Sequence, residues 1–170
     1  MEEEEELEMI KSTINQLMNL EIKEIKKIYQ ATIDGEQSKY FHKKCDNIKN
    51  TLVLYKTKNN RRFGGFASEV WENNYIDKCD KYCFLFSLDE KKIYKIKGNN
   101  YFQISSSPQY GPSFANNGKY CIAIKNSLDE LYTNESGHKN IFNGETNALS
   151  EDGNFKGTNC ENYEVFQLQF

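Results

Sequence analysis

The chain has 170 residues, 38% of them hydrophobic, enough for one domain with a real core and too many for a low-complexity or disordered chain. The 11 Tyr and 11 Phe favour strands and packed cores, which tilts the expectation toward β structure. A net charge of −3 and a pI near 5.5 count against nonspecific nucleic-acid binding, which needs a basic stripe.

Residues 2–27 read as an acidic amphipathic helix. Leu7, Ile10, Ile14 and Leu17 recur at three- and four-residue steps, and Met18, Ile22 and Ile25 continue after a slip of one. The glutamates at 2–6 suit the positive end of the helix dipole. The apolar stripe has two readings: a short coiled-coil seam over residues 7–25 joining two copies, or a face packed on the chain's own globular part.

Asp34-Gly35 is a turn signal, and residues 38–45 carry Tyr40, Phe41, Lys44 and Cys45 at helical spacing. Strands are expected at 51–56 (TLVLYK), 62–68 (RFGGFAS), 83–88 (CFLFSL), 92–96, 101–104, 120–125 (YCIAIK) and 163–170 (YEVFQLQF). Residues 58–61 form a hairpin turn between the first two, with Asn59 and Asn60 able to take positive φ. The adjacent Gly64 and Gly65 signal a bulge or a close backbone approach. Residues 110–118 read as a loop, and 128–150 as long polar surface loops. No helix separates successive strands as a parallel unit requires. The expected fold is therefore α+β and mainly β: two antiparallel sheets in a β-sandwich, flanked by short helices.

The chemistry-bearing residues are sparse. The glutamate-rich start is the opposite of a secretory signal, and no apolar stretch reaches membrane-span length. A cytoplasmic or nuclear protein with reduced thiols is expected. Among Cys45, Cys79, Cys83, Cys121 and Cys160, the pair Cys79 and Cys83 lacks zinc-knuckle spacing, and no metal or cofactor is expected. Cys79, near Lys78 and Lys81, is the candidate redox thiol; the plainer reading is inert thiols. His42 lies three residues before Cys45, so the two side chains can meet as a Cys–His nucleophile does, but a histidine on the helix rim beside a buried cysteine is the preferred reading. His138 and Glu135 share an Asn-rich loop with too few ligands for a metal. Lys91, Lys92, Lys95 and Lys97 read as a solvated cluster. Glu69 and Glu72 flank Trp71 as candidates for a contact surface. Glu164 sits in an otherwise apolar strand. Facing inward, it needs a partner such as Arg61, Arg62 or a tyrosine hydroxyl; facing outward, it is an ordinary sheet residue.

Several of these segments, taken in order, resemble the TLDc domain family. They are residues 34–46 (Asp-Gly, then a helix ending Phe-His-Lys-Lys-Cys-Asp), the hairpin Leu52-Val53-Leu54 with 63–68, Trp71, and the strand at 84–88. They continue with Tyr110-Gly111-Pro112-Ser113-Phe114 and the strand at 121–124, and end with Tyr163-Glu164-Val165-Phe166-Gln167-Leu168. The resemblance covers about residues 28–170, with 1–27 as a separate leader. Glu36 and Gln37 stand where the family commonly has Phe-Ser, Asn116 and Asn117 precede Gly118 in a loop that is usually richer in glycine, and the approach at 155–162 is long. The candidate interaction or structural residues are Asp34, Gly35, Gly64, Gly65, Glu69, Trp71, Gly111, Pro112 and Glu164. The resemblance implies a central β-sandwich, protection against oxidative stress and binding to the vacuolar proton-pumping ATPase, with no agreed catalytic machinery. The expectation is a noncatalytic protein-interaction module. Its rivals are a dimeric signalling adaptor and a cysteine-based redox enzyme.

Overall fold

The computed structural model describes residues 2–145, 147–150, 157–158 and 160–170. The approach at 155–162 therefore lies largely outside the described residues. Two six-stranded sheets stack face to face, and every named strand pair is antiparallel.

The first sheet has the order β1 (Glu24–Gln30), β12 (Cys160–Gln169), β2 (Thr51–Thr57), β3 (Arg62–Ala67), β5 (Phe84–Ser87), β6 (Lys92–Tyr94). The second has β11 (Gly157–Thr158), β10 (Leu131–Thr133), β9 (Lys119–Ile124), β8 (Phe114–Asn116), β7 (Phe102–Ile104), β4 (Lys78–Asp80). Alternation divides the first sheet's residues between its two faces. Val53, Tyr55, Leu85, Tyr163 and Val165 point into the sandwich and meet Phe114, Ile122, Ile124 and Leu131 of the second sheet. Leu52, Phe66, Phe84, Phe86 and Leu168 point to the outer face and form a second apolar layer.

That outer layer is where helix α1 (Glu2–Met18) packs. Ile10 and Ile14 are buried in it, so the stripe is occupied by the chain's own sheet, the second of the two readings above. The expected helix over 2–27 ends at Met18. Asn19 takes the left-handed conformation (φ 53°) common just past a helix, and Asn15 Oδ1 accepts the Ile22 N–H at 3.1 Å. Ile25 belongs to strand β1, which pairs with β12 and begins before Ile28. The spacing of Ile22 and Ile25 suits a helix on paper, but the hydrogen bonds of an adjoining strand outweigh it.

Two short helices follow β1: α2 (Ala31–Asp34) and α3 (Ser38–Cys45). The expected turn closes the β2–β3 hairpin, with Asn60 at φ 63°. Two further expectations are corrected. Residues 110–118 contain β8, and 128–150 are not surface loops: β10 runs through them, and Leu128, Leu131, Phe142, Ala148 and Leu149 are buried. Strands three residues long are too short to show a period, and these apolar residues are spread among polar ones. Among the described residues no helix is long and apolar enough to cross a membrane.

Candidate functional site

The motif residues fall mostly on structural tasks. Asp34 ends α2, where Oδ2 accepts the Gln30 N–H at 2.8 Å and Oδ1 pairs with Lys44 at 3.2 Å. The Gln30 N–H, with help from Lys44, holds the carboxyl below its ordinary value against some desolvation. Gly35 has φ 122°, and a Cβ there would strike the Tyr40 ring. Its carbonyl accepts the Tyr29 hydroxyl at 2.6 Å, and that hydroxyl also meets Tyr163 Oη at 3.1 Å.

Gly64 and Gly65 lie in a regular stretch of β3 with no bulge, so close approach is the correct alternative. A Cβ on Gly64 would collide with the Val53 carbonyl and the Phe86 ring, and one on Gly65 would come within 2.6 Å of the Phe114 ring across the sandwich. Trp71 is fully buried and presents no contact surface. Its indole N–H donates to Thr51 Oγ1 at 2.8 Å, and its ring meets Phe41 and Phe114 edge-on. Glu69 is half-buried and donates its backbone N–H to Asp80, while Glu72 pairs with Lys78 at 2.9 Å. Gly111 donates its N–H to the Ile124 carbonyl at 2.9 Å, and the Pro112 carbonyl accepts the Tyr55 hydroxyl. Glu164 faces outward and pairs with Lys27 at 2.7 Å, not with an arginine or tyrosine.

The burial of three polar groups escaped the sequence reading. Asp80 has no exposure and accepts from Ser68 N (2.6 Å), Ser68 Oγ (2.5 Å), Glu69 N (3.1 Å) and Tyr82 N (3.1 Å). It ties the segment just after β3 to the turn before β5. Glu135 is also fully buried; Oε1 accepts the Leu149 and Ser150 N–H groups, and Oε2 has no partner among the described residues. His42 is buried, not on the rim. Its Nδ1 lies 2.7 Å from Asp46 Oδ1, and its Nε2 lies 3.1 and 2.8 Å from the Ser107 and Tyr110 carbonyls. Every one of those partners is an acceptor, so a protonated ring donates through both nitrogens, and the contacts staple α3 to the 107–110 loop. A carboxylate four residues along a helix, as Asp46 is from His42, was the available signal.

The thiols divide sharply. Cys45, Cys83, Cys121 and Cys160 are buried, and burial pushes each thiol up, that of Cys160 to about 12. Cys79 is exposed on β4, the edge strand of the second sheet. Among the described residues no cluster of three or more His, Cys, Asp or Glu has a metal-holding arrangement.

A concavity remains on the outer face of the first sheet, beside α1. It measures about 330 Å3 and is lined by Leu7 and Ile10 of the helix and by Ile25, Leu52, Leu54 and Phe166 of the sheet, together with the polar Glu3, Glu6 and Arg62. A polar groove adjoins it past Leu54 and Arg62, reaching Lys56, Glu161 and Glu164. Gly64 lies opposite Leu54 in this sheet, and the Phe86 ring takes the space that a side chain there would need.

No curated protein matches the chain. The family model for the TLDc domain matches residues 2–169, taking in α1, β1 and every later strand. With a match over nearly its whole length and the two-sheet fold in place, the chain belongs to the TLDc domain family.

Proposed function

We propose that this domain is a noncatalytic protein-interaction module of the cytoplasm that regulates the vacuolar proton-pumping ATPase or supports the oxidative-stress response. The family match over residues 2–169 carries this reading, because those are the associations that resemblance to TLDc proteins implies. The placement of the side chains agrees with it. The polar motif residues are engaged in holding turns, strands and helices together, and four thiols lie in the core with their pKa values raised by burial, a poor environment for a nucleophile.

The test is affinity capture of the pump's peripheral subunits from a lysate with the immobilised full chain. Recovery of those subunits, lost on competition with free protein, is the expected result. A chain that stays folded and captures none of them removes the pump from the reading. The rival redox activity has one observation in its favour, the exposure of Cys79. A Cys79→Ser variant that gives the same peroxide protection as the parent chain eliminates it.

A further inference from the structure

We infer that the trough beside α1 is a docking site for an amphipathic helix of a partner protein, with the edge of that helix facing α1 being basic. This deepens the protein-interaction reading and rests on it, by naming the surface and the chemistry that it recognises.

The first support is continuity. The same outer face already seats one amphipathic helix: Ile10 and Ile14 of α1 lie in a layer with Leu52, Phe66, Phe84 and Phe86. The trough is the uncovered remainder of that layer, with Ile25, Leu54 and Phe166 half-buried along its floor. A surface that binds apolar residues at helical spacing on one side of its midline offers the same chemistry on the other. This is the helix-in-groove mode, read by anchors at i, i+3, i+4 and i+7.

The second is shape. From Asn162 to Phe166, β12 runs along both the trough and its polar extension, about 13 Å at the rise of a strand, which matches two to three turns of helix. Leu7, 40% exposed on α1, forms an apolar upper lip that an incoming side chain would cover.

The third is charge. On the helix wall, Arg62 neutralises Glu6, while Glu3 stands on the rim next to the exposed Glu4. On the far rim, Lys27 and Lys56 are already paired with Glu164 and Glu161. One wall is therefore acidic and the other balanced, so a ligand helix gains by placing lysine or arginine against α1. A second copy's α1 carries the same glutamates and would set acid against acid, which makes self-association the poorer occupant.

The probe is a synthetic amphipathic peptide with leucines at i, i+3, i+4 and i+7 and lysines elsewhere, followed by fluorescence anisotropy with the full chain. The expected result is saturable binding that Leu54→Lys weakens at least tenfold, with a counterpart peptide carrying glutamates for lysines binding at least tenfold more weakly. Leu7→Lys, at a half-exposed helical site where folding is secure, should weaken it in the same direction. No saturable binding, or binding untouched by both variants, overturns the inference. So does a chain dimer that Leu54→Lys dissociates, which would make a second copy the occupant. If the parent chain captures pump subunits while the peptide does not bind it, the trough is wrong and the interaction reading stands; if capture fails while the peptide binds, the reverse holds.

Discussion

Arg62 grips Glu6 through two parallel hydrogen bonds, Nη1 to Oε2 at 3.0 Å and Nη2 to Oε1 at 2.8 Å. This fork ties the first turns of α1 to the start of β3. The Glu6 side chain is only 7% exposed, so removing the arginine strands a carboxylate against an apolar layer. The guanidinium itself is a third exposed and also reaches Asp89 at 3.5 Å, so water softens the loss. Arg62→Ala should cost about 1–3 kcal/mol, less than the 3–5 typical of a fully buried pair. Amide exchange should rise across α1 and stay unchanged in β9. Equal protection of α1 in both proteins would show that Ile10 and Ile14 hold the helix without the clasp.

The two histidines should pull stability in opposite directions with pH. Burial alone would depress His42, but the Asp46 carboxylate and the two carbonyls outweigh it and raise its pKa above the ordinary 6.5. Its contribution is therefore fully present below pH 6.5 and is lost as pH rises through the raised folded value. His138 is depressed, chiefly by burial and further by Lys119, against the opposing pull of the Tyr120 carbonyl. Its contribution is present above pH 6.5 and is lost as pH falls through the lowered folded value. Urea midpoints across pH 5 to 9 should show His42→Gln flattening the alkaline decline and His138→Gln flattening the acid one. The same slope change in both variants would contradict the assignment.

The glycine pair predicts an order of damage. In Gly64→Ala the new methyl meets the Val53 carbonyl, part of the β2–β3 ladder, as well as the Phe86 ring. In Gly65→Ala the nearest atoms it meets are those at the edge of the Phe114 ring, 2.6 Å away, and a ring can tilt. Overpacking of the second kind costs about 1–3 kcal/mol. The first should cost more, because backbone in a paired strand cannot yield. Denaturation midpoints that rank Gly65→Ala as the worse variant, or that leave both at the parent value, would refute this reading.

The sequence revealed the hairpin around Asn60 and the strands at 51–57 and 119–124 because each carries a run long enough to show alternation or a turn residue with a mechanism. It hid β4, β8 and β10, which have three residues each and owe their existence to neighbours supplied from elsewhere in the chain. His42 was misplaced for a related reason. A histidine followed by two lysines looks peripheral in one dimension, whereas Asp46 and the Tyr110 carbonyl give its ring nitrogens buried partners in three. The trough was illegible altogether. It depends on which flank of the sheet the first turns of α1 leave uncovered, and no period in the sequence records that.

The thiols offer a direct test of how far reactivity follows burial. Cys79 stands exposed on an edge strand, while the other four cysteines lie in the core with their thiolates disfavoured. A chromogenic disulfide reagent at neutral pH should therefore modify one thiol per native chain within minutes and the remaining four only after denaturant is added. Cys79→Ser should abolish the fast phase and leave the unfolding midpoint within about 0.5 kcal/mol of the parent, as for a surface substitution. Fast modification of two or more thiols in the native chain would mean that the core opens locally on that timescale. Cys160 is then the first residue to check, because it lies at the register shift where β12 enters its pairing with β2, where a strand end frays most readily.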